Sequence, residues 1–206
     1  MSFGWAIISA GDYANSRGAP GINQAADADL VAVQSRDQGR ADAFAEQHGA
    51  KTAYTSVEDV LNDSRVDAVY ITSPNHLHTQ QTTMAANAGK HVLVEKPLSL
   101  DLADGVNTLR LCRTKGIKVG VGLHLRHHPG HIEAQRLIAN GTLGTVALAQ
   151  SQIGQGERGN VQPEPRAGLR DWWTHPELVG GAFSMLTIGV HAICLLYTSP
   201  SPRDRG

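Results

Sequence analysis

The sequence predicts an α/β fold, a doubly wound parallel sheet followed by an incomplete α+β section. Three observations carry that expectation. Short apolar runs alternate with longer segments of helical pattern, the signature of βαβ units. Six such runs fall within the first 123 residues. The first run is short and ends in a glycine turn, which suits a buried strand.

The elements follow in order. Residues 3–9 read as the first strand and 15–25 as a short helix interrupted around Pro20. Residues 30–34 form the second strand, and 38–48 a helix of alanine and charged residues ended by Gly49. A short strand is expected at 52–54. Residues 56–62 read as a helix that Ser56 caps, with Glu58 and Asp59 at its positive end. The strand at 68–72 is stopped by Pro74, and the helix at 77–88 ends at Gly89. The strand at 91–94 runs into Glu95-Lys96-Pro97. A helix at 102–115 ends at Gly116, and 118–123 is the sixth strand. Six strands with intervening helices make this a Rossmann sheet.

Beyond it, 132–139 reads as an amphipathic helix, 146–153 as a strand and 154–173 as a polar loop with Pro163 and Pro165. Residues 186–193 either begin a helix or finish a strand. The expected division is a dinucleotide-binding domain at 1–123, an incomplete substrate or oligomerisation domain at 124–193, and a tail at 194–206. The tail, reading CLLYTSPSPRD from Cys194 to Asp204, abandons the preceding apolar pattern. It resembles a translated sequencing adapter and is expected to be non-native.

Composition narrows the function classes. A formal net charge of -1 gives no electrostatic case for nucleic acid or an anionic membrane. No apolar run is long enough to span a bilayer, and the N-terminus lacks a signal-type leader. Cys112 and Cys194 make neither a disulfide framework nor a metal spacing, so a reducing cytoplasm is expected. His124, His127, His128 and His131 cluster without a cysteine or an HExxH pattern, and no metal is expected there.

Two places carry chemistry. Ser9-Ala10-Gly11-Asp12-Tyr13-Ala14 aligns with G-x-G-x-x-G/A, with Ser9 in place of the first glycine. Such a turn lets the backbone approach a pyrophosphate seated on a helix N-terminus. Gly11 stands where the approach is closest, and Ala14 still allows close helix–strand packing. The second strand ends Val33-Gln34-Ser35-Arg36, with no carboxylate at Gln34 or Ser35 to repel a 2′-phosphate. Ser35 can donate a hydrogen bond, Arg36 can make a bidentate contact, and Arg40 lies one turn on. NADP is therefore favoured, with NAD possible. Lys96 sits at the carboxyl end of a strand, where open α/β sheets bind ligands, and Pro97 restrains its backbone. A lysine held there can exchange a proton with a substrate hydroxyl or carbonyl while hydride moves, and burial would lower its pKa. Glu95 can orient it or contact cofactor. Arg126, just after the sixth strand, can reach nicotinamide or substrate. Trp172 and Trp173 either wall the site or pack between domains.

Ser9 to Ala14, Ile71 to His78, Ala88 to Leu100 and Ile188 to Ile193, in this order and spacing, resemble the Gfo/Idh/MocA oxidoreductases. The resemblance implies a Rossmann domain followed by an α/β domain with a large sheet. It also implies NAD(P)-linked redox chemistry at a carbinol of a sugar, polyol or diol. It makes Lys96 the catalytic lysine, lines the cofactor cleft with Ser73, Pro74, Asn75 and His78, and sets Glu95 beside it. Members carry D-x-x-x-H late in the chain; here Thr187 and His191 stand at those positions, leaving His191 as acid–base partner without the carboxylate. Members often pair, so a homo-oligomeric parent is expected. The competing readings are an NADP-binding sensor without turnover and an inactive truncated fragment.

Overall fold

The structure, a computed structural model, describes residues 2–151, 175–180 and 185–198. Six strands form one sheet: β1 (Phe3–Ile8), β2 (Ala28–Gln34), β3 (Thr52–Tyr54), β4 (Ala68–Ile71), β5 (His91–Val94) and β6 (Val119–Val121). Every pairing is parallel and the order is β3-β2-β1-β4-β5-β6. The order reverses between β1 and β4, and open α/β sheets bind ligands at that switch point, outside the carboxyl ends of the strands.

Successive residues of the central strands feed opposite faces, as the two-residue strand period requires. Ala6, Ile8, Val69, Ile71, Val92 and Val94 belong to one buried cluster. Ile7, Leu30, Val33 and Tyr70 belong to the other. Both faces are covered, so the strands read as continuous apolar runs. Each fully buried Val or Ile contributes about 1.5–3 kcal/mol relative to exposure.

Helices fill the crossovers: α1 (Ala19–Gln24), α2 (Gln38–His48), α3 (Val57–Asn62), α4 (His78–Asn87) and α5 (Leu102–Thr114). The Asp37, Ser56 and Asp101 side chains cap α2, α3 and α5 by accepting from the backbone N–H groups of Arg40, Asp59 and Asp104. Gly49 ends α2 at φ 74°, a left-handed conformation that favours glycine. Pro20 does not break its helix. A π-helical segment, Ala14–Gly18, precedes α1, and the proline occupies the first turn of α1, where a missing N–H costs little.

After β6 a 3₁₀ turn, His124–His127, leads into α6 (Pro129–Ala139). Helix α7 (Pro176–Val179) packs against the 3₁₀ turn Asn75–Leu77, whose Asn75 Nδ2 donates to the Val179 carbonyl at 3.4 Å. Residues 185–189 and α8 (Val190–Thr198) are helical, which resolves the alternatives at 186–193.

The expected strand at 146–153 is corrected. Residues 146–151 are not in a strand and are mostly exposed, and 152–153 lie outside the described residues. A strand is stabilised by a ladder partner, and no described strand lies beside this segment. The loop at 154–173, with Trp172 and Trp173, also lies outside the described residues. Among the described residues, no helix is long and apolar enough to cross a membrane, and no group of three metal-ligating side chains converges.

Candidate active site

The turn after β1 is held from both sides. Ser9 N–H donates to the Gln34 backbone oxygen and to Gln34 Oε1, both at 3.1 Å. From the other side, Thr72 Oγ1 donates to the Ser9 carbonyl at 2.8 Å. Gln34 also donates through Nε2 to the Thr55 carbonyl at 2.9 Å, so its amide braces the turn. Ser9 sits at φ 74°, the left-handed conformation that a glycine would adopt more readily. A Cβ built on Gly11 would meet only the Ser9 carbonyl, at 3.9 Å, which leaves an open backbone surface at the helix start. Asp12 and Tyr13 open that helix, and Ala14 is buried against the sheet.

At the end of β2, Ser35 is buried and its N–H donates to the Tyr54 carbonyl at 3.1 Å. Arg36 is exposed, and no described hydrogen bond or ion pair engages its guanidinium. Arg40 lies 3.8 Å from Asp37, an exposed pair worth little. A cation beside the second strand, an open turn and a helix start are the donor set that a phosphorylated dinucleotide needs.

Lys96 follows β5 with its side chain partly buried. Burial lowers its pKa from the ordinary value of 10.5, and the Glu95 carboxylate opposes that shift. Glu95 is itself buried. Tyr70 Oη donates to Glu95 Oε1 at 2.6 Å, and Lys96 N–H reaches back to Oε2 at 3.3 Å. Burial, then the Glu95 charge, raise the Tyr70 pKa, so the hydroxyl stays a donor. Glu95 is thus a brace beneath the Lys96 backbone. Gly122 makes room for it, since a Cβ there would fall 2.5 Å from Oε1.

His191, on α8, is 7% exposed, and its Nδ1 finds no partner among the described residues. Its ring meets His124 edge-on at 4.9 Å between centroids and 67° between planes. Burial, then His124, then Lys96 push its pKa down to about 4. Lys96, His191 and His124 therefore share one electrostatic neighbourhood, with His191 neutral at pH 7. A neutral imidazole can accept or donate a proton, as acid–base work requires.

The sequence expectations fare unevenly in detail. Ser9, Gly11, Asp12, Tyr13, Ala14, Ser35, Arg36, Ser73, Pro74, Glu95 and Lys96 all lie at or just beyond the carboxyl ends of parallel strands. Arg126 follows β6 in an exposed turn. His78 is fully buried, with its two ring nitrogens at the Pro97 and Ser73 carbonyl oxygens. Ser73 and Asn75 are also turned inward. Ser73 Oγ donates to Gln81 Oε1 at 2.6 Å. Asn75 faces a cavity of about 420 Å³ between α4 and α5, shared with His76, Thr79, Ser99 and Asp101. Sequence reading missed Tyr70, Gln34, Gly122 and His124. The one signal for Tyr70 was an aromatic hydroxyl at the centre of an otherwise largely apolar strand.

A six-stranded parallel sheet with this turn at its switch point defines a dinucleotide-binding domain of the Rossmann class. The chain belongs to the Gfo/Idh/MocA family: residues 3–123 match the family described as "Oxidoreductase family, NAD-binding Rossmann fold". It is 36% identical over 146 residues to a 1,5-anhydro-D-fructose reductase of Ensifer adhaerens, covering 71% of this chain and 44% of that protein. It is 35% identical to a D-xylose 1-dehydrogenase (NADP(+)) of Haloferax volcanii, covering 82% of this chain and 49% of that one. Among solved structures, a 3-ketoreductase from Actinomadura kijaniata in complex with TDP-benzene and NADP aligns with TM-score 0.64 at 29% identity, over 68% of this chain and 44% of that one. A scyllo-inositol dehydrogenase from Lactobacillus casei with bound NAD(H) and scyllo-inositol aligns with TM-score 0.66 at 27% identity, over 70% and 43%. The chain spans about half the length of the curated relatives it matches.

Proposed function

We propose that the chain is the cofactor-binding and proton-transfer part of an NADP-linked oxidoreductase acting on a carbinol or carbonyl of a sugar, polyol or diol. The observation that carries this reading is Lys96, an amine of lowered pKa at the mouth of the switch-point sheet with neutral His191 in its field. A relative named a D-xylose 1-dehydrogenase (NADP(+)) and a similar 3-ketoreductase in complex with NADP support the substrate class and the cofactor. The nicotinamide supplies or accepts the hydride when bound. The turn at Ser9 to Ala14 receives the pyrophosphate, while Ser35 and Arg36 receive the 2′-phosphate. Lys96 Nζ gives a proton to the substrate oxygen in reduction or takes one in oxidation. His191 hydrogen-bonds the same oxygen or relays that proton. The parent is a homo-oligomer of a reducing, cytoplasmic compartment, with residues 1–123 as its cofactor domain and 124–193 opening its substrate domain.

Turnover on a panel of sugars and polyols tests it, alongside fluorescence titration of NADPH. Lys96→Ala should leave cofactor binding intact and lower turnover by at least ~100-fold, the worth of a general acid–base. Near-normal turnover would remove Lys96 from the role. A second reading, a sensor that binds NADP without turnover, is favoured by Ser9 in the turn and Thr187 in place of a carboxylate. Binding without turnover on any substrate would select it.

A further inference from the structure

His78 begins α4, and its ring is completely enclosed. Nδ1 lies 2.6 Å from the Pro97 carbonyl oxygen and Nε2 2.8 Å from the Ser73 carbonyl oxygen. Carbonyl oxygens only accept hydrogen bonds, whereas a neutral imidazole owns one N–H and the imidazolium two. In the neutral ring, one of these contacts sets a nitrogen lone pair against an oxygen lone pair. Turning the ring over would exchange each nitrogen for a carbon and forfeit both bonds. The two carbonyls belong to the segments that frame the site: Ser73 ends the switch-point strand region, and Pro97 carries the backbone of Lys96.

We propose that His78 is a proton-gated positioning residue: protonated, it clamps the Ser73 turn to the Lys96–Pro97 segment through both bonds, and neutral, it keeps the shorter bond to Pro97 and releases Ser73. The part that concerns Lys96 rests on the function proposed above. Burial works most strongly against the charged ring and holds its pKa below the ordinary 6.5; the Pro97 and Ser73 carbonyls and the Glu95 carboxylate work for the charge, and the Lys96 ammonium opposes them. Glu95 and Lys96 are the charged groups whose influence reaches the ring. Titration therefore alters the link between the Ser73 turn and the Lys96–Pro97 segment.

Nitrogen-detected NMR of the histidine rings in the intact chain tests the gate without requiring turnover. As pH rises from acid toward 6.5, the ordinary histidine value below which burial holds this ring, His78 should pass from two protonated nitrogens to the Nδ1–H tautomer. The NADP dissociation constant should rise roughly fivefold over the same step, the worth of one hydrogen bond. His78→Gln, which offers a single donor group, should show no such step. A ring that stays neutral throughout, or one that settles as the Nε2–H tautomer, overturns the gate. A ring that titrates as stated with no step in NADP affinity overturns the coupling. Absence of any NADP binding would instead count against the proposed function, leaving the ring titration to judge the clamp.

Discussion

Tyr70 on β4 donates its hydroxyl at 2.6 Å to Oε1 of Glu95, the residue just after β5, tying the ends of two neighbouring strands together beside Lys96. Without this donor the buried carboxylate keeps only the longer bond from the Lys96 N–H, at 3.3 Å, against its desolvation cost. Tyr70→Phe should therefore lower unfolding stability by about 1–3 kcal/mol, read as a shift in the urea midpoint at unchanged slope. An unshifted midpoint would mean that water replaces the hydroxyl and that the strands do not depend on it.

Gly122 tests the same carboxylate from the other side. An added Cβ would lie 2.5 Å from Glu95 Oε1, whereas at Gly120 it would meet only Leu93 Cδ1, at 3.3 Å. Gly122→Ala should destabilise by about 1–3 kcal/mol through overpacking, and by clearly more than Gly120→Ala. Equal effects in the urea titrations would show that Glu95 moves aside freely.

Acid should weaken the fold in two separate windows. The His191 pKa is about 4 in the folded chain against an ordinary 6.5, so between those values the unfolded chain binds more protons. Stability contributed by neutral His191 is present above 6.5 and is lost as pH falls through 4. Asp63, beside Arg65, is held at about 2 against 3.8, and its contribution is lost only below 3.8. His191→Phe should flatten urea midpoints in the upper window and leave the lower one. A slope that survives the substitution would assign it to another group.

Arg36 is exposed at the end of β2 with no described partner. Arg36→Ala should weaken NADPH by at least about tenfold, the worth of a charge-assisted contact, and NADH by little, in parallel fluorescence titrations. Equal weakening of both would make Arg36 a solvated surface residue.

Much of the architecture was legible because burial on both sheet faces turns a parallel strand into a compact apolar run. Ser56, Gly49 and Gly89 marked helix ends for reasons internal to each segment. The run at 146–153 looked alike in composition, yet the described part is not a strand, because its ladder partner is not written into the segment itself. Lys96 was legible from its place after β5. The direction in which His78 faces was not, since spacing fixes the turn of a helix and leaves the ring's partners to distant carbonyls. The Tyr70–Glu95 and His124–His191 contacts join residues far apart in the chain and carry no local signature.

The central claim, that bound nicotinamide lies against the Lys96 amine, is tested most directly by amine labelling with and without cofactor, read by mass spectrometry of the Lys96 peptide. Saturating NADP⁺ should slow labelling of Lys96 at least about tenfold, beyond what one weak contact gives, while exposed Lys51 is unaffected. Undiminished labelling of Lys96 in a chain shown by fluorescence to hold the cofactor would place the nicotinamide elsewhere and contradict the account.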